Sequence, residues 1–286
     1  MSSPISLHST ALTRRRMVGA LTLAAIFGAT ATAGAQLRPL EPFSWRVFED
    51  DVRIAADSRI ARYQGQRASL AGTKGDLWEV PTMSFAWTSG RFTILASGTA
   101  VRFFAERERF GPPFPGVLPA RNGRRYDSGE YTIGTGVRLT PLRHPIEALL
   151  RFGTRLPTTD NRTGLDRDAT DFFATIVGHA RRRSLSVSLE AGLGITATRD
   201  STYEQDDLLL YSARVEYERG RVKPSLVVVG QAHGPTHRER RGVEDLSEAR
   251  LGLRFGDRTW IRLEGVKGME TFSPAYGLSL AVGTLR

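Results

Sequence analysis

The segment Ser184-Leu-Ser-Val-Ser-Leu-Glu-Ala-Gly-Leu-Gly-Ile-Thr196 decides the fold. Leu185, Val187, Leu189, Ala191, Leu193 and Ile195 occupy every second place. Ser184, Ser186, Ser188, Glu190, Gly192, Gly194 and Thr196 fill the others. Side chains of a strand point alternately to opposite faces, so this is one strand with an apolar face and a polar face. On a helix the same residues would scatter around the whole circumference.

The same period recurs on both sides of this segment. Tyr131, Ile133, Val137 and Leu139 alternate with Thr132, Gly134, Gly136 and Arg138; Ile146, Ala148, Leu150 and Phe152 alternate with Glu147, Arg151 and Gly153. Downstream, Tyr211, Ala213, Val215 and Tyr217, then Ala249, Leu251, Leu253 and Phe255, then Tyr276, Leu278, Leu280 and Val282 repeat it. The pattern predicts about twelve strands, near 44–55, 78–88, 91–105, 129–140, 146–155, 171–181, 184–197, 207–218, 221–233, 247–256, 259–268 and 275–285. The first changes parity between Val47 and Val52, and those near 91–105 and 171–181 are apolar on both parities, so the facing of all three is left open.

The connections separate the β folds. Thr88–Arg91, Pro141–Pro145, Arg181–Arg183, Arg219–Arg221 and Gly256–Arg258 are short and turn-like. Between them lie longer links at 56–77, 106–128, 156–170, 198–206, 234–246 and 269–274. A membrane barrel alternates short periplasmic turns with long outer loops, and its strands need about 9–11 residues when tilted. A secreted sandwich or soluble barrel shares the strand period but has no reason for the alternating links. The expected fold is all-β: a transmembrane antiparallel up-and-down β-barrel of about 12 strands, lipid-facing on its apolar parity.

The N-terminus carries an address. Arg14, Arg15 and Arg16 precede the apolar run Met17–Phe27, and small residues end at Ala33-Gly34-Ala35. This is the layout of a cleaved secretory signal, dividing the chain into a signal peptide at 1–35 and a barrel domain at 36–286. Thr13-Arg14-Arg15-Arg16-Met17-Val18 also resembles a twin-arginine signal, so the export route stays open. Cleavage removes three arginines and no acid from a chain of formal charge +10, leaving +7. Cysteine is absent, which excludes disulfides, thiolate metal sites and thiol nucleophiles. With 29 glycines and 14 prolines a helical bundle is disfavoured.

Trp45, Trp78, Trp87, Phe92, Tyr131, Phe152, Phe172, Tyr217, Trp260 and Tyr276 fall near strand ends, where interfacial girdles place aromatics. The last strand, Tyr276–Val282, resembles the C-terminal assembly signal of outer-membrane barrels, although the chain ends Leu285-Arg286 and not in an aromatic. That implies the barrel-assembly machinery and outer-membrane lipid as partners. Arg151-Phe-Gly-Thr-Arg-Leu-Pro-Thr-Thr159, Gly164-Leu165, Thr170-Asp-Phe172, Gly192-Leu-Gly194 and Leu208–Tyr211 resemble bacterial outer-membrane transporters associated with the meta-pathway of phenol degradation. The resemblance spans roughly 130–286 and implies a barrel that transports, with no catalytic residues to carry over.

Other chemistry finds little support. Asp160, Asp166, Asp168 and Asp171 share one loop, but not with the spacing of a calcium loop, and Arg162 and Arg167 neutralise them as well as an ion would. His233-Gly-Pro-Thr-His237 has no fixed metal geometry. A barrel hydrolase would need a histidine and a serine two residues apart on the outer face, and neither His179 nor His233 has one, so no enzyme activity is expected. Phosphate-cradling glycine motifs are absent and the arginines are dispersed, so neither cofactor, metal nor nucleic acid is expected. The Pro-rich stretch Phe110–Pro119 reads as an extended surface loop, with folding over or into the barrel mouth as the alternative.

The polar parity is the informative surface. If the apolar face meets lipid, Arg138, Arg151, Arg155, Arg214, Arg250, Arg254 and Arg262 point into the lumen with Glu147, Glu190, Glu216, Glu248 and Glu264. These twelve are the expected pore lining of a channel or transporter for small solutes, anionic or amphipathic ones among them. The alternatives are a non-conducting structural or adhesion barrel sealed by Arg–Glu ladders, and an outer-membrane enzyme.

Overall fold

The computed structural model describes residues 37–48, 52–141, 144–156, 162–165, 170–196, 206–233 and 244–286. The expected signal peptide, most of the aspartate loop and His237 lie outside them. The strands are β1 (Ile54–Ala68), β2 (Thr73–Ser89), β3 (Phe92–Arg109), β4 (Arg124–Asp127), β5 (Tyr131–Arg138), β6 (Ile146–Leu156), β7 (Asp171–Arg182), β8 (Leu185–Thr196), β9 (Asp206–Tyr217), β10 (Val222–His233), β11 (Leu246–Phe255), β12 (Thr259–Gly268) and β13 (Tyr276–Leu285). Apart from β4, each pairs antiparallel with the next. The short β4 forms a flap on the far end of β3, and β5 bonds to β3 nearer its start. Strand β13 returns to β1 from Ala55↔Leu285 to Gln64↔Tyr276. The result is a closed antiparallel barrel of twelve strands, with β4 outside the count.

Facing follows the alternation. On β8, Leu185, Leu189, Leu193 and Ile195 are exposed on the outer wall, while Ser186, Glu190 and Thr196 are buried in the lumen. The same holds for Leu251, Leu253 and Phe255 against Arg250 and Arg254, and for Leu278, Leu280 and Val282 against Ser279. The outer wall is therefore a continuous apolar belt, and the interior is charged. Where both parities are apolar, Phe172 and Ile176 face out and Phe173 and Val177 face in; on β3, Phe92 and Ile94 face out.

Short turns gather at one end of the barrel with Arg286, whose carbonyl accepts from the amides of Arg53 and Ile54. At the other end β1, β2 and β3 run to 15, 17 and 18 residues, well past the other strands.

The expected first strand at 44–55 is a correction. Trp45–Phe48 forms a single 3-10 turn, and Trp45, Val47 and Phe48 are buried inside the barrel. The first strand begins instead at Ile54 and occupies most of the expected 56–77 link. Its two faces mix Asp57, Ser58, Arg59, Arg62, Gln64 and Gln66, so no apolar face announces it. Two expected girdle aromatics, Trp45 and Trp260, are also buried within, whereas Trp78, Trp87, Phe92, Phe152, Phe172, Tyr217 and Tyr276 are exposed outside.

The Pro-rich stretch takes the alternative of its two readings. Phe114 donates its amide to the Leu70 carbonyl, Val117 packs against Leu70, and Leu118 donates to the carbonyl of Arg162. The stretch therefore folds across the mouth, where Leu165 is fully buried with Leu37, Tyr63, Leu77 and Phe104.

Candidate functional site in the barrel lumen

Residues 37–48 run lengthwise through the lumen. Leu37 lies with Ala68, Ala71 and Leu165 at the long-loop end, and Phe43, Trp45, Val47 and Phe48 lie with Ala86, Leu149 and Val177 nearer the short-turn end. A segment with this many apolar residues enters a charged lumen only where its own charges are met. Arg38 pairs with Glu248, which also accepts from Arg250 Nε at 2.9 Å. Glu41 accepts from Arg59 at 2.7 Å and from Arg250 Nη1 at 2.6 Å, and its carbonyl accepts from Arg151 at 3.0 Å. The Phe43 amide donates to Glu190 at 2.8 Å. Farther down, Trp45 Nε1 donates to Glu147 at 2.8 Å.

This network fixes its own protonation. Burial pushes the Glu41 carboxyl up, but the guanidinium groups of Arg250, Arg59 and Arg38 outweigh that and hold it well below the usual carboxylate range. Burial likewise works against the charge on Arg38, yet Glu248 overrides it and raises the guanidinium above its ordinary value.

Each expected lining residue faces inward, in three arrangements. Arg151–Glu190 at 2.9 Å, Arg254–Glu216 at 2.6 Å and Arg250–Glu248 are tight pairs, and Thr175 donates to Glu190 as well. Arg155 meets Glu130 at 3.1 Å and Asp171 at 3.7 Å, while Arg138 lies over the Phe48 ring. Arg214 makes no ion pair among the described residues, and Arg262 reaches Glu264 only at 4.0 Å.

Among the spaces that flank the lumenal segment, three follow it in series. A pocket of about 80 Å³ lies beside Leu37–Glu41, one of about 190 Å³ lies beside Glu41–Val47, and a vestibule of about 580 Å³ opens at the short-turn end beside Trp45, Arg46 and Phe48. Neighbouring spaces share walls: Arg59, Thr82 and Arg151 between the first two, Arg46, Arg214 and Glu216 between the last two. The middle space is bordered by six arginines (46, 59, 151, 214, 254 and 262) and three acids, Glu41, Asp57 and Glu216.

One constellation was invisible to sequence spacing. His179 is cross-strand neighbour to Glu147 on β6 and Ser188 on β8, and its Nδ1 lies 2.8 Å from Ser188 Oγ. It faces the lumen, and the Trp45 ring stacks on the imidazole at 5.0 Å while binding Glu147. The trio serves as an anchor for the lumenal segment. Only a pairing register, which brings positions 147, 179 and 188 abreast, reveals it. No group of three or more His, Asp or Glu residues fit to hold a metal occurs among the described residues.

No family model matches the chain, and no curated protein does. Among solved structures, an outer membrane channel from Pseudomonas putida F1 superimposes with a TM-score of 0.59 at 9% identity, over 86% of this chain and all of that one. The translocator domain of the autotransporter NalP from Neisseria meningitidis gives 0.42 at 11%, over 95% and 94%. At such identities the first likeness shows the architecture alone. Together with the apolar outer belt and closed twelve-strand wall, it makes this chain an outer-membrane β-barrel.

Proposed function

We propose that the barrel is a narrow channel for small solutes, with a preference for anions. The carrying observation is the run of adjoining spaces along residues 37–48, whose middle space is bordered by twice as many arginines as acids. Guanidinium groups stay charged at any physiological pH and bind carboxylates or phosphates in a fork. A narrow, water-poor passage between low-dielectric walls focuses their field, attracting anions and repelling cations. Arg250 and Arg254 are neutralised by Glu248, Glu41 and Glu216, so the discriminating charges are Arg214 and Arg262. The resemblance of residues 130–286 to barrels associated with phenol degradation fits a small, weakly acidic solute.

The test is single-channel recording in planar bilayers under a potassium chloride gradient. The unmodified protein should give a small conductance with a reversal potential on the anion side. Arg214→Gln with Arg262→Gln should move it toward cations, by less at high salt because screening shortens the reach of the remaining charges. A barrel that passes no current sinks the channel reading. The second reading, a structural barrel sealed by charge pairs, is favoured by one observation: residues 37–48 are pinned at both ends of the lumen.

A further inference from the structure

The outer wall carries a feature the lumen does not explain. Between β13, β1 and β2 lies a depression of about 520 Å³ on the lipid-facing surface, lined by Ile60, Val80, Leu278 and Leu280 below and by Trp78 and Tyr276 above. Ala61 and Gly277 present only backbone to its floor: their side-chain positions face the lumen, where a Cβ on Gly277 would strike the Tyr63 ring. At Gly65, with φ +66°, β1 shifts register just beyond the depression, toward the long-loop end.

Cations stand at the upper rim. Lys267 on β12 faces outward with its ammonium 4.1 Å above the Tyr276 ring, and it has no carboxylate partner among the described residues. Arg62 lies 5.0 Å over the Trp78 ring; one nitrogen reaches Asp76 at 3.0 Å, and Nε is buried with no partner. Asp76 is already held in a fork by Arg107 at 3.0 and 2.7 Å, so the Arg62–Asp76–Arg107 row keeps one positive charge. A charged row on the outer wall is costly at the bilayer centre and sits instead at headgroup level. At the long-loop end, that level belongs to the outer leaflet.

We infer that this depression binds a phosphorylated glycolipid of the outer leaflet, with acyl chains lying in the groove and phosphates on Lys267 and Arg62. The two residues stand two strand spacings apart across the wall, roughly 10 Å, and two residues apart along it, which suits a headgroup with two separated phosphates better than a single phosphodiester. The aromatic rims give the sugar faces to rest on. This site is independent of whether the lumen conducts.

Native mass spectrometry of the folded protein in detergent tests it with three probes: diphosphoryl lipid A, the same lipid stripped of both phosphates, and phosphatidylglycerol. Diphosphoryl lipid A should be retained preferentially. Arg62→Gln and Lys267→Gln should each weaken retention about tenfold, the scale of one charge-assisted contact. Arg221→Gln, an exposed change at the short-turn end, should leave it unaltered. Equal retention of the dephosphorylated lipid or of phosphatidylglycerol overturns the proposal, as does unchanged retention in both variants. Heat-modifiable migration verifies that each variant is folded. Lys267→Gln breaks no ion pair, so it decides the matter even if the arginine variant does not fold.

Discussion

Single positions separate the two surfaces of the wall. Leu189 is 59% exposed on the outer face of β8, and its neighbour Ser188 faces the lumen beside His179. Leu189→Arg should therefore cost roughly 2–4 kcal/mol of folding free energy in lipid, and Ser188→Arg far less. Denaturant titration in vesicles measures both, and equal losses would reverse the assigned facing. Inside, Glu248 is fully buried and shared between Arg38 and Arg250. Glu248→Gln removes the charge that both guanidinium groups answer, and should cost about 3–5 kcal/mol in the same titration. A loss under about 1 kcal/mol would mean that water enters and hydrates the pair.

The element of greatest consequence is residues 37–48. Deleting them should leave a barrel that still migrates heat-modifiably, because none of its wall ladders uses them. Conductance should rise several-fold, since the segment occupies space between all three cavities. Its docking should also depend on pH in one direction. Glu41 has its folded-state pKa held below the ordinary 4.5, so the docking it contributes is fully present above 4.5 and is lost as pH falls through the lower folded value. Bilayer recordings should show conductance level from pH 8 to about 5 and increasing only below about 4.5. A rise already present above pH 5 would exclude Glu41 as the latch. This element was also the least legible in the sequence. Ser44–Val52 carries the apolar content of a strand, and nothing local shows that Trp45 and Phe48 meet Val177 and Leu149 from within. Strand β1 was obscured for the opposite reason, since a wall that bears Arg59 inside and Arg62 outside has no apolar parity to read.

Across the whole molecule, the period of two and the alternation of link lengths made eleven of the twelve wall strands readable, because both are imposed by the bilayer on local sequence. The inward facing of Arg138 through Glu264 followed from the same parity. Which of those charges are paired did not, because Arg254 finds Glu216 across β10 and Arg250 finds Glu41 from 209 residues away. Link lengths also set the topology: protease added to intact cells should cut within 106–128, 156–170 or 234–246 and spare Arg181–Arg183. Cleavage at that arginine turn in intact cells would invert the barrel in the membrane.

The seam between β1 and β13 joins positions 55–64 to 276–285, so the wall cannot shut until the last strand has been made. Residues 37–48 are attached immediately ahead of that seam and lie inside the finished wall. Closure of the seam is therefore a deadline: a chain that zips β1 to β13 while the segment is still outside must feed it back through an opening already crowded by Arg181, Arg183 and Glu218. Pairings this distant in sequence form late and slowly, which leaves time for the segment to settle against β7 and β11 before the wall is complete. Order of assembly then joins the strength of the individual contacts in deciding whether a given molecule is made stoppered or open.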